Sequence, residues 1–187
     1  GHGALDGGTG VHGNTAVGTD TMGSASYAAS YNTAVGYNAM LLATSAEGIT
    51  AIGHQCLDAL TTGSYNTGLG AVALTACQGG GKHTALGYGA LSSEDAHGHN
   101  IAIGYHSLVS QNAGAHAYNV AIGSNAGAAV TTGVNNTLIG GLAGDNLTEG
   151  GYNVAIGYAA LTTENGHGKN VAIGYQSLRD QDAGAHA

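Results

Sequence analysis

Apolar and polar positions alternate along this chain in short bursts that return at a fixed distance. In the stretch 152–178, "YNVAIGYAALTTENGHGKNVAIGYQSL", the run Asn153-Val154-Ala155-Ile156-Gly157 comes back as Asn170-Val171-Ala172-Ile173-Gly174. The Gly of this run recurs at Gly18, Gly36, Gly53, Gly70, Gly87, Gly104, Gly123, Gly140, Gly157 and Gly174, in steps of 17 residues apart from one of 18 and one of 19. Ten motifs in that register define a repeat protein. The two longer steps fall in the variable stretch between motifs, where loops tolerate insertion.

Stacking the repeats turns the sequence into columns. Immediately before each Gly stands a branched aliphatic: Val17, Val35, Ile52, Leu69, Leu86, Ile103, Ile122, Ile139, Ile156 and Ile173. Two places earlier stand Thr15, Thr33, Thr50, Thr67 and Thr84, then Ile101, Val120, Thr137, Val154 and Val171. The residue between is Ala except at Gly68 and Leu138, and the leading residue is Asn except at Ile49 and His83. Four places after Gly the residue is Met or Leu, except at Gly127 and Gly144, and the residue before it is mostly Ala or Ser, with Cys56 in that small column.

Asn-[Thr/Val/Ile]-Ala-[Val/Ile/Leu]-Gly has the two-residue period of a short strand, and the Gly after it permits a sharp turn. The [Ala/Ser]-Leu pair is expected to begin a second short strand, and the Thr-, Gly-, Asn-, Ser- and His-rich remainder to be loop. No 3.6-residue stripe appears, and Gly at this frequency disfavours helix. The expected fold is therefore all-β: a parallel β-solenoid of about ten 17-residue coils, one repeat domain over residues 1–187, with 1–13 a partial coil and 14–187 the ten repeats. Coils stacked at ~4.8 Å would reach ~48 Å. Ile156 and Ile173 are expected to stack in the core with the Thr column beside them. Gly157 and Gly174 would turn the corner, and Asn153 and Asn170 would form an amide ladder. On that orientation the small face carrying Ala155 and Ala172 looks outward and admits a neighbouring chain, so Ala102→Tyr and Ala155→Tyr are expected to break an oligomer.

Composition narrows the class. Gly is 35 of 187 residues, with no Pro, Phe or Trp, which excludes a thick core; hydrophobic residues at 43% and charged ones at only 7% argue against disorder. The net charge of −8, with Lys82, Lys169 and Arg179 as the only cations, leaves no basic footprint for nucleic acid. No apolar run is long enough to span a membrane. Cys56 and Cys77 occupy different columns and read as free small residues.

"NTAVGYNAM" (32–40), "NIAIGYHSL" (100–108), "NVAIGYAAL" (153–161) and "NVAIGYQSL" (170–178) resemble the head repeats of YadA-like trimeric autotransporter adhesins and the repeat shafts of bacteriophage tail fibres. The resemblance covers residues 14–187. It implies a left-handed β-roll, three identical chains around one axis, and a place on a bacterial cell surface or virion tail fibre. It also implies work in reaching or gripping a host or cell-surface receptor such as a glycan. The adhesin heads repeat about every fourteen residues, so this chain carries about three more residues per coil.

Ten histidines invite a metal reading, sharpest at "HGH", where His97 and His99 share one side of an extended segment; three chains would bring six imidazoles together, as in the His-x-His sites of some phage fibre tips. The plain alternative is a solvated loop. The acid pairs Glu94-Asp95 and Asp180/Asp182 read as surface charge rather than the paired carboxylates of a glycan-hydrolysing spike. Tyr37, Tyr88, Tyr105, Tyr158 and Tyr175, each after its Gly, read as rings covering a turn. The Thr column raises an ice-binding solenoid as a rival class, weakened by the expected inward direction of Thr. No residue is assigned a catalytic role and no cofactor is expected. "GAHA" at 184–187 repeats 114–117, where a new coil follows, so the chain reads as a segment of a longer array or one that stacks end to end into a filament.

Overall fold

The computed structural model describes residues 2–5, 12–24, 28–163 and 168–180. Each coil contributes one three-residue strand: β1 (Thr15–Val17), β2 (Thr33–Val35), β3 (Thr50–Ile52), β4 (Thr67–Leu69), β5 (Thr84–Leu86), β6 (Ile101–Ile103), β7 (Val120–Ile122), β8 (Thr137–Ile139), β9 (Val154–Ile156) and β10 (Val171–Ile173). They form one parallel sheet in sequence order, like residue on like residue, so that Ala102 pairs with Ala121 and Ile103 with Ile122. This is a β-solenoid of about nine turns. The second segment, [Ala/Ser]-Leu, is turn rather than strand. It still bonds from coil to coil, with Leu57 N–H donating to Ala73 O at 3.0 Å and Leu74 N–H to Ala90 O at 3.0 Å. These Leu residues sit at positive φ, as at Leu57 (54°) and Leu74 (52°), which breaks the strand while aiming the side chain inward.

The two faces of the sheet are the reverse of the sequence expectation. The middle Ala of the strand is the buried residue, at 0% exposure for Ala51, Ala121 and Ala155, whereas Leu69 is 47% exposed and Ile122 36%. Asn, Ala and Leu point in; Thr and the branched aliphatic point out. The reason is thickness. The Ala column packs against the small column on the facing wall, so closely that a Cβ on Gly68 would lie 2.6 Å from Cys56 Sγ. An Ile cannot enter a gap of that width, and neither could a Tyr at Ala102 or Ala155, which would disrupt the coil itself. Leu57, Leu74, Leu91 and Leu108 fill the wider part of the interior.

Size exchange between the columns shows how tight this interior is. Leu138 replaces Ala in β8, and the Leu positions on either side of it are Gly127 and Gly144; Cβ atoms there would stand 2.8 Å from Leu138 Cδ1 and Cδ2 respectively. The corner glycines are fixed by backbone approach: at Gly36 (φ 141°) a Cβ would lie 2.3 Å from Gly53 O.

Asn makes the interior self-sufficient in hydrogen bonds. Asn32 Oδ1 accepts from Ile49 N–H at 2.9 Å, Asn119 Oδ1 from Asn136 N–H at 2.8 Å, and Asn136 Oδ1 from Asn153 N–H at 3.0 Å. The Nδ2 group donates to a carbonyl fourteen residues on, as from Asn66 to Gly80 O at 2.8 Å and from Asn136 to Gly150 O at 2.9 Å. The expected ladder is therefore present, and it joins side chain to the next coil's backbone, so no buried amide is left unpaired along it.

Candidate functional site

Two places depart from a bland rod. The first is the outward sheet face, two columns of Thr and branched aliphatics running the length of the solenoid without one charged side chain. The outward Thr also removes the sequence argument against ice binding, which rested on an inward column. Beside this face, exposed Tyr rings stack between coils, Tyr88 on Tyr105 at 5.6 Å and Tyr158 on Tyr175 at 5.8 Å between centroids.

The second lies inside and around the fifth coil, which follows β5. Seven residues after the corner Gly, an inward column reads Ala43, Leu60, Cys77, Glu94, Gln111, Val130 and Leu147, all buried. Glu94 is thus a core residue, not the surface acid expected from its loop-like surroundings. Its Oε1 accepts from His97 N–H at 3.2 Å and its Oε2 from Asn100 Nδ2 at 3.4 Å. Burial pushes the Glu94 carboxyl up to about 7, with the His97 N–H opposing and Asp95 adding to the rise.

Seven residues before the corner Gly, the corresponding column is Ala29, Ala46, Gly63, Gly80, Gly133 and Gly150; His97 takes the same place before Gly104, and the exposed His116 before Gly123. A His97 ring nitrogen and one carboxylate oxygen each from Glu94 and Asp95 lie within 4.8 Å of one another. His97 Nδ1 is buried without a hydrogen-bond partner.

His83 replaces Asn in the ladder and reproduces both of its bonds. Its Nδ1 accepts from Asn100 N–H at 3.4 Å, and its Nε2 donates to the His97 carbonyl, again fourteen residues on. Those roles require the neutral ring protonated at Nε2. Burial pulls its pKa down to about 4, the His97 carbonyl opposing and His99 and His116 adding.

The two histidines of "HGH" have different surroundings around a shared neighbour. His97 lies beside the carboxylates and meets His116 edge-on at 6.3 Å, while His99 packs on His116 at 4.8 Å and stacks on Tyr118 at 4.8 Å. His99, His116, Lys82 and Tyr65 line an open groove of about 340 Å³ over a glycine-rich floor. Desolvation first, then Lys82 and His116, hold His99 below its ordinary value.

Comparison with family models, with curated proteins and with solved structures gives no match. The likeness to adhesin heads and fibre shafts therefore rests on the motif and on the solenoid it forms. Cys56 and Cys77 are free and buried, their thiols pushed up to about 12 chiefly by burial. Asp180 pairs with Arg179 at 3.3 Å on the exposed surface, while Asp6, Glu164, His167, Asp182 and His186 lie outside the described residues. Among the described residues no helix is long and apolar enough to cross a membrane.

Proposed function

We propose that this chain is a segment of the shaft of an extracellular homotrimeric fibre, a non-enzymatic spacer that holds an adhesive element away from a cell or virion. The observation that carries the reading is the outward face. Ten coils at ~4.8 Å and a strand width near 10 Å make an uncharged strip of ~480 Å². Around a shared axis each strip meets both neighbours at once, the threefold arrangement that the motif's resemblance to trimeric heads implies. No charge opposes self-association on this face, and the coil repeat lets copies meet in register.

Sedimentation velocity with negative-stain imaging tests it. The wild-type chain is expected to sediment as a trimer and appear as rods. Leu69→Lys and Ile122→Lys, each placing a charge in the strip without touching the interior, are expected to give folded monomers. A wild-type chain that stays monomeric at micromolar concentration sinks the proposal. The outward Thr ladder from Thr15 to Thr84 favours one second reading, an ice-binding solenoid. Thermal hysteresis in dilute solution, lost on substituting Thr50 and Thr67, would establish that reading instead.

A further inference from the structure

We propose that Glu94, Asp95 and His97 form a binding site for a divalent transition-metal ion, set in the wall of the fifth coil. Three observations converge. The donor set is right: two carboxylates and an imidazole suit zinc and its first-row neighbours. The donor atoms already lie within 4.8 Å of one another, and one ring nitrogen of His97 is buried with no partner in the protein. The third is placement. Among the described coils the Glu94 column is otherwise apolar apart from Gln111, and the His97 column is otherwise Ala or Gly apart from the exposed His116, yet here the fold admits a buried carboxylate and a half-buried ring together.

The same pair returns in register. Glu164 and His167 stand seven residues after Gly157 and seven before Gly174, and "SSEDAHGHN" (92–100) parallels "TTENGHGKN" (162–170). A random lapse in a core column would have no reason to recur as Glu-x-x-His. The second copy has Asn165 where the first has Asp95, so the second carboxylate belongs to the fifth coil alone.

The backbone around the site is anchored. His83 holds the His97 carbonyl, the His97 N–H donates to Glu94, and the Asp95 carbonyl accepts Gln78 N–H at 2.7 Å and Gly79 N–H at 3.0 Å. Ligands at ~2.1 Å from a tetrahedral ion stand ~3.4 Å apart, so donors that lie within 4.8 Å of one another need to close by about 1.4 Å at most on binding. Rotation of the half-buried Asp95 and His97 side chains supplies that movement, and water completes the shell. The ion would neutralise a buried carboxylate and occupy the idle imidazole nitrogen. Metal uptake releases any proton that Glu94 carries.

The test uses the full chain. Cobalt(II) is titrated with the visible d–d absorption as readout, and zinc by calorimetry. His97→Ala installs the residue that Ala29 and Ala46 supply in the same column, and Glu94→Gln installs the residue type of Gln111, so both variants keep side chains the fold already accommodates. Circular dichroism verifies the fold of each. Wild type is expected to bind with a d–d signature, and both variants to lose one equivalent or at least tenfold in affinity. Unchanged binding in His97→Ala, or no stoichiometric binding by wild type, overturns the proposal. Loss of binding in His99→Ala but not in His97→Ala would overturn it in favour of the outward His99–His116 pair.

Discussion

The size exchange around β8 gives a quantitative test of the interior. Leu138 is fully buried and reaches into the space that Gly127 and Gly144 leave. Truncating it to Ala opens a cavity beside Gly127 and Gly144, bordered by Leu108, Val130 and Leu147, which are already packed in their own columns. Leu→Ala in cores costs 2–5 kcal/mol, and the flanking glycines cannot fill the gap, so ~3 kcal/mol is the expected loss. For a chain of this length that lowers the melting midpoint by ~6–12 °C. Introducing Leu at Gly127 alone should also destabilise, because its Cβ would lie 2.8 Å from Leu138 Cδ1 and 2.9 Å from Leu108 Cδ2.

The triple change Leu138→Ala, Gly127→Leu, Gly144→Leu recreates the arrangement of the other coils. The φ values of 61° and 59° at the two glycines are close to the 54° and 52° that Leu already adopts at Leu57 and Leu74, so backbone strain does not forbid it. The triple variant is expected to regain at least half of the stability lost by Leu138→Ala, a coupling of the 0.5–3 kcal/mol size seen between touching residues. Thermal melts followed by circular dichroism measure it. A triple variant that melts below Leu138→Ala would show that these columns do not share one space, and the orientation of β8 would be wrong.

Two further outcomes follow from buried titratable groups. His83 falls from its usual 6.5 to about 4, worth up to ~3 kcal/mol. Its stabilisation is complete above pH 6.5 and is lost as pH falls through 6.5 toward 4, because the unfolded chain takes up the proton first. His83→Asn restores the ladder residue, so its melting midpoint should pull ahead of wild type on acidification through that window; parallel pH curves would refute the neutral-ladder role. Cys56 and Cys77, with thiols near pKa 12, should react with a disulfide reagent at pH 8 ~1,000-fold more slowly in the native chain than in denaturant. Native labelling at the denatured rate would place them outside the core.

The solenoid was legible because period and column are properties of sequence: the ten Gly positions alone give the coil, and the Asn column gives the ladder. The inside of the sheet was not legible from alternation. A two-residue period separates two faces without saying which is buried, and assigning the bulkier face to the core is the ordinary inference. It fails here because the walls approach to Ala–Ala distance. The paired exceptions held the missing signal. Leu138 appears where Ala is otherwise found, next to Gly127 and Gly144 where Leu is otherwise found, and such compensation is only needed between columns that touch. Glu94 was misplaced for a related reason. Read locally it sits among Ser, Asp and Gly, but aligned by coil it falls between Cys77 and Gln111 in a buried column. His97 draws attention in the sequence through its neighbour His99, whereas in the fold its ring lies beside Glu94 and Asp95.

The inverted sheet also bears on which outward column matters. An isolated rod with an Asn, Ala and Leu interior would be satisfied by any soluble side chain outside. The Thr column behaves with some of that freedom, giving way to Ile101, Val120, Val154 and Val171, a change that interrupts any water-ordering array. The neighbouring column does not: all ten residues are branched aliphatics although several are a third or more exposed. Such restriction over ten coils is what the proposed self-association on this face would impose. The replacements in the Thr column are themselves aliphatic, so the drift along the rod is toward more apolar surface rather than less. A Thr-dependent function would fade toward β10, whereas self-association through this strip would hold or strengthen. That difference ranks the assembled fibre above ice binding. It also predicts that Ile156→Lys in the second half impairs assembly at least as much as Val35→Lys in the first, the reverse of what a Thr-borne function requires.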